Sequence, residues 1–200
     1  MSICNVDIGD QVLDAARRCL VRNDGRRVTV AEVAREAGVS RPTVYRRWPD
    51  MSEIIRALLT REVLGVIAVV TEATPLHTDD LDATIDQIVR VATALRDDDL
   101  VAALWREQRE FMTPYVFDRL GTSQLGVLKM LSEIVARGQD RGEIRDGNPE
   151  KMGAMILLMT QTAVQSRALV DSILGDDWSI ELRQMLSGYL RKPGELPDAG

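Results

Sequence analysis

Ile8, Val12, Ala15, Ala16, Cys19 and Leu20 recur at the three- and four-residue spacing that aligns one face of an α-helix. Asp7 stands where an N-cap belongs and Asn23-Asp24-Gly25 where a helix stops, so the pattern predicts a first helix over about 8–22. Thr29-Val-Ala-Glu32 then fits a capping box, with the threonine hydroxyl accepting from the amide three residues on and the glutamate reaching back. A short second helix carrying Val30, Val33, Ala34 and Ala37 follows, ending at Gly38, where positive φ carries no steric cost. Ser40 caps a third helix with Pro42 in its first turn, and Pro49 halts it after Trp48. Helix, glycine-containing turn, helix is the layout of a helix-turn-helix unit. Ala34 and Gly38 are small where two helices would cross, and Val39, Val44 and Trp48 take the inward positions.

A fourth helix opens at Asp50 or Ser52 and runs to about Val70, and TEATPLHTDD behind it reads as a linker. Leu81, Ile85, Ile88, Val89, Ala92 and Leu95 form one helical stripe, and Leu100 and Leu104, extended toward Phe111, another before Thr113-Pro114 interrupts. A further helix holds Phe117, Leu120, Leu125, Leu128, Leu131, Ile134 and Val135, followed by a polar connection over 138–150. The helix predicted from Met152 to Ile173 is apolar on more than one face, beyond the single stripe a monomer needs. The last helix, Trp178 to about Leu190, presents Leu182, Met185, Leu186 and Tyr189. No stretch alternates as a strand does. The chain is predicted all-α with about nine helices: an N-terminal three-helix helix-turn-helix domain over 1–50, a C-terminal helical domain with apolar surface for dimerisation over 51–192, and a flexible tail over 193–200.

Composition narrows the function. Two cysteines, Cys4 and Cys19, and a single histidine, His77, leave no cluster with metal-ligand spacing and no nucleophile constellation, so neither metal nor cofactor nor catalysis is expected. The longest apolar run, 63–70, is far short of the roughly 20 residues a membrane span needs. The first ten residues carry acids where a signal peptide carries bases, so a cytoplasmic protein without membrane association is expected. Charge divides along the chain. The whole has a formal net charge of −6, yet residues 22–48 hold seven arginines against Asp24, Glu32 and Glu36. A locally basic segment on an acidic body suits a reader of double-stranded DNA, and a merely solvated face is the alternative.

The third helix is short enough to enter a major groove, where donors in its first turns reach base edges. Arg41 can fork onto a guanine or take a phosphate, and Pro42 and Thr43 can lie against a thymine methyl. Tyr45 and Arg46 point out where Val44 points in, and Arg47 is better placed for a phosphate. Thr29, opening the second helix, is a second phosphate anchor or else a cap and nothing more.

TVAEVAREAGVSRPTVYRRWPD closely resembles the DNA-binding signature of the TetR family of transcriptional regulators, ungapped from Thr29 through Ala37-Gly38-Val39-Ser40 and Thr43-Val44-Tyr45 to Trp48. The resemblance implies DNA-facing roles for Ser40, Arg41, Pro42, Thr43, Tyr45, Arg46 and Arg47, and a phosphate contact for Thr29. It departs at Met51, where the family often carries a phosphate-touching lysine, and a helical protein that has lost specific DNA binding is the competing reading. The resemblance also implies a homodimer, with a palindromic operator and release by a small-molecule effector, most often as a repressor. Met152, Met155, Met159, Ala163, Leu182, Met185, Leu186 and Tyr189 are the expected dimer contacts. Trp105, Phe111, Met112, Tyr115, Phe117, Met130, Met155, Met159 and Gln161 are the expected lining of a mainly apolar effector pocket, with ordinary core packing as the alternative for the same residues. The fourth helix, joining head to body, is the expected lever.

Overall fold

A computed structural model describes residues 7–73, 80–108, 113 and 120–192. Every described element is helical: α1 (Ile8–Arg22), α2 (Val30–Glu36), α3 (Arg41–Tyr45), α4 (Met51–Ala73), α5 (Leu81–Arg96), α6 (Asp99–Glu107), α7 (Thr122–Asp140), α8 (Pro149–Gln165), α9 (Arg167–Leu174), a 3-10 turn (Gly175–Asp177) and α10 (Trp178–Leu190). The expected linker core, the Thr113-Pro114 break and the tail over 193–200 lie wholly or partly outside the described residues.

The chain divides into two compact units, one made of residues 1–64 and 97–119, the other of 65–96 and 120–200. In the first, α1 is capped by Asp7, whose carboxylate accepts from the Gly9 amide at 2.9 Å. Its inner face buries Val12, Ala15, Ala16, Cys19 and Leu20. Ile8 departs from the sequence pattern: at the first turn of the helix it is exposed, and Leu13 takes an inner place instead. Val33, Ala34, Val44, Trp48, Ile54, Ile55 and Leu58 close this core together with Leu100 and Leu104 of α6. The unit holding the helix-turn-helix thus extends through the first half of α4 and takes in α6.

Arg17 of α1 binds Glu62 of α4 at 3.1 Å and Asp98 at 2.7 Å. Asp98 itself caps α6, accepting from the Leu100 and Val101 amides. One guanidinium therefore fixes three helices.

In the second unit α5, α7, α8 and α10 enclose Leu81, Ile85, Val89, Leu131, Val135, Met152, Ile156, Trp178, Leu182, Leu186 and Leu190. Asn148 caps α8 through the Lys151 amide, with Pro149 in the first turn. α8 packs on α7 most closely at Gly153, where an added Cβ would lie 2.8 Å from Ser132 Oγ. Arg183 of α10 and Arg191 just past its end hold Asp82 and Asp86 of α5. The helix predicted over 152–173 is two helices, because the backbone turns at Ser166 (φ −89°, ψ 7°) between α8 and α9.

Candidate nucleic-acid interface

The turn between α2 and α3 is built as its sequence requires. Gly38 has φ +66°, and the Val39 amide returns to the Ala34 carbonyl at 3.0 Å. An added Cβ at Gly38 would meet nothing within 4 Å, so its role is conformational and the expected close crossing rests on Ala34. Ser40 caps α3 by accepting from the Thr43 amide at 3.3 Å, and the two hydroxyls share a 2.7 Å hydrogen bond.

α3 is a stub of five residues anchored from beneath. Val44 is 0% exposed and Trp48 is buried just past the helix end, so one side is committed to the core. Arg41, Pro42, Tyr45 and Arg46 are exposed on the other, Tyr45 to 51%. The guanidiniums of Arg41 and Arg46 have no hydrogen-bond or ion-pair partner among the described residues. Free guanidiniums beside an exposed phenol, on a helix whose remaining face is apolar and buried, form a surface complementary to anionic, aromatic nucleic acid.

Two expected contacts are engaged elsewhere. The Glu32 carboxylate takes both the Thr29 hydroxyl at 2.7 Å and the Thr29 amide at 2.8 Å. Those two bonds, the hydroxyl's first, hold Glu32 below the usual carboxylate range. A charged carboxylate therefore stands at the start of α2. Arg47 lies past the end of α3 and donates to Asp7 at 3.0 Å, with its guanidinium 5.1 Å over the Trp48 ring. It also covers Gly9, where a Cβ would fall 2.1 Å from Nη1. The Asp7 carboxylate is held low by the Gly9 amide and then by Arg47. No sequence signal links residues 40 positions apart, and this latch was not foreseen. Met51, where a lysine was the expectation, packs against the first core.

Residues 12–58 match the family described as bacterial regulatory proteins, tetR family. An uncharacterized HTH-type transcriptional regulator of Mycobacterium tuberculosis is 42% identical over 191 residues, spanning 95% of this chain and 98% of its own. The chain belongs to the TetR family of transcriptional regulators. A putative tetR family transcription regulator from Shewanella sp. PV-4 superposes with a TM-score of 0.67 at 16% identity, covering 92% of this chain and 98% of that one. RolR in complex with resorcinol superposes with a TM-score of 0.69 at 12% identity, covering 92% and 87%. At such identities the two structures speak for the fold alone. A TetR-family chain with these relatives is a DNA-binding regulator rather than an enzyme.

The remaining candidates of this TetR-family chain are scattered. Trp105 packs on the first unit's core, whereas Met130, Met155, Met159 and Gln161 belong to the second unit. Gln161 accepts from Gln124 Nε2 at 2.5 Å, and Met159 packs on the second core. Phe111, Met112, Tyr115 and Phe117 lie outside the described residues. Among the dimer candidates, Met152, Leu182 and Leu186 are buried inside their own protomer, while Ala163 and Tyr189 are partly buried against the same core. Met155 and Met185 face solvent, joined by Leu158 and Ile180, which the sequence reading did not single out. Among the described residues no helix is long and apolar enough to cross a membrane.

Proposed function

We propose that this TetR-family regulator acts as a homodimeric repressor that inserts α3 of each copy into successive major grooves of a palindromic operator and leaves the DNA when a small, mainly apolar molecule binds the second unit. The observation that carries the reading is α3 itself, with Val44 fully buried and Arg41, Tyr45 and Arg46 exposed around it. Arg41 and Arg46 supply base and phosphate contacts, Tyr45 a phosphate or base contact, and Pro42 and Thr43 the close apolar approach. Ser40 holds the stub through the Thr43 amide. Thr29 and Arg47 join the interface only where a DNA phosphate shares or displaces the carboxylates of Glu32 and Asp7 to which they now donate.

Dimerisation follows from groove geometry, because two reading helices must sit about 34 Å apart to meet both half-sites. Exposed Met155 and Leu158 on α8 with Ile180 and Met185 on α10 supply an apolar surface for it. In the second unit, Met130, Met155, Met159 and Gln161 are the described candidates for the effector. Resorcinol in the structurally similar RolR is a small aromatic of the kind such a lining suits. Release is a population shift: moving the bound form from 99:1 to 1:99 takes about 5.5 kcal/mol of differential ligand affinity.

The test is a gel shift on the DNA upstream of the protein's own gene. Sequence-specific retardation is expected, abolished by Arg41→Ala combined with Tyr45→Ala in protein whose melting temperature is unchanged. Retardation that survives the double substitution sinks the assignment. Light scattering on Leu158→Glu with Met185→Glu tests the dimer, with conversion to monomer expected.

A further inference from the structure

The loop joining α1 to α2 carries cations that the reading helix does not use. Asp24 (φ +54°) and Gly25 (φ +76°) both adopt left-handed backbone, which turns the chain sharply. The Gly25 carbonyl accepts from Gln108 Nε2 at 2.7 Å, and the Asp24 carboxylate accepts from Arg106 at 2.8 Å. Val28 is buried at the far side of the loop. The loop is thus pinned at both ends, and Arg26 and Arg27 between the pins are exposed.

With Arg22, Asn23 and Asp24 they line an open notch of about 350 Å³. Asp24 is neutralised by Arg106, and Arg22 by Glu36 at 3.2 Å. The guanidiniums of Arg26 and Arg27 have no hydrogen-bond or ion-pair partner among the described residues. Two neighbouring guanidiniums in a notch whose only carboxylate is already engaged leave an uncompensated positive field. Planar guanidinium forks match the oxygens of a phosphate.

We propose that this notch clamps a phosphate of the DNA backbone flanking the groove read by α3. The inference rests on the DNA-reading assignment and adds a second anchor to it. Arg27 lies two residues before Thr29, the N-cap of α2. In a helix-turn-helix the first of the two helices crosses the backbone while the second enters the groove, so the notch sits at the end of the backbone-crossing helix. A free phosphate-bearing anion would meet the same donors. The duplex is favoured because the notch is open, and because Arg35, Arg41 and Arg46 continue the run of unpaired, exposed cations along the same unit.

Fluorescence anisotropy of the full chain on a labelled duplex from its upstream region, between about 50 and 200 mM salt, tests the clamp. Each phosphate neutralised adds about 0.9 to the slope of log affinity against log salt, so Arg26→Ala with Arg27→Ala is expected to flatten it by about 1.8 per dimer. Arg26→Lys with Arg27→Lys is expected to keep the slope, and all variants to melt with the parent protein. An unchanged slope in the alanine variant overturns the clamp alone. So does a parent protein that pyrophosphate stabilises against heat, with the alanine variant unresponsive and the DNA slope unmoved, since that makes the notch a small-anion site. A parent with no sequence-specific binding overturns the DNA reading and the clamp together.

Discussion

Leu104→Ala probes whether α6 is part of the reading head. Leu104 is 0% exposed and lies in one core with Val44, Trp48 and Leu58, although it follows the recognition helix by some 60 residues. Truncating a fully buried leucine removes three carbons from a packed site and leaves a cavity whose walls relax only in part. Such changes cost about 3 to 5 kcal/mol, and α6 is held by Asp98 at its cap and by Arg106 and Gln108 at its end, so little collapse is available. About 3 kcal/mol is expected. Three tryptophans make this measurable: Trp48 and Trp105 belong to the first core, and Trp178 to the second. In a Trp178→Phe background, tryptophan fluorescence reports the reading head alone. Urea titration of that background should shift to a lower midpoint by about 1 to 3 M on adding Leu104→Ala, given slopes of about 1 to 3 kcal/mol per molar. DNA affinity should fall with it near the transition. An unfolding free energy within about 0.5 kcal/mol of the parent refutes the packing of α6 into the head.

Further outcomes follow from single contacts. Gly25→Ala should destabilise by at least about 2 kcal/mol in the same titration, because alanine is strained at φ +76° and its Cβ would lie 2.3 Å from the Ala103 carbonyl oxygen. Asp7→Asn keeps a competent N-cap but removes the charge that holds Arg47, so DNA affinity should rise and its salt dependence steepen by about 1 per subunit; an unchanged slope means Arg47 stays at Trp48. Acid should be the weak side. Asp7 is held below the ordinary carboxylate range by the Gly9 amide and Arg47, Glu36 by Arg18 and Arg22, and Asp82 by Arg191 and Arg183. A group with a folded pKa below its unfolded value stabilises above the unfolded value and loses that contribution as pH falls through the folded one. Melting temperature should therefore stay flat down to about pH 5 and drop below about pH 4, and a loss already under way between pH 8 and 6 contradicts this.

The helix-turn-helix was legible because every device in it is local. Asp7, Thr29 and Ser40 cap over two or three residues, and Gly38 turns the chain where it stands. The outward set of α3 followed from a single inward residue, Val44. Long-range pairings were invisible. The Arg47–Asp7 latch, the Arg17 bridge to Glu62 and Asp98, and the docking of α6 beneath the head join positions 40 or more residues apart, and no period or spacing encodes them. Apolar periodicity also could not tell a buried position from an exposed one. Met152, Leu182 and Leu186 share their stripes with exposed Met155 and Met185, and only packing separates the two sets. The break at Ser166 was missed because Ser166-Arg167-Ala168 contains no glycine or proline to mark it.

The cations of the head gain meaning from what the acids do. Of the seven arginines over 22–48, Arg22 is bound to Glu36 and Arg47 to Asp7, while Glu32 is engaged with Thr29 and Asp24 with Arg106. Every acid in that stretch is spoken for, and Arg26, Arg27, Arg35, Arg41 and Arg46 remain unpaired among the described residues. Elsewhere Arg17, Arg61, Arg183 and Arg191 are each paired with carboxylates, although exposed Arg90 and Arg137 have no such partner among the described residues. Leaving five exposed guanidiniums uncompensated in a protein of net charge −6 has no folding benefit, because like charges on one small unit repel. Screening confines their field to about 10 Å at 0.1 M salt, so they act only on an anion brought to the surface itself. The acidic remainder of the chain repels the same polyanion. Together the two signs let DNA approach the head and discourage it elsewhere, an orientation that a uniformly basic protein of the same fold would lack.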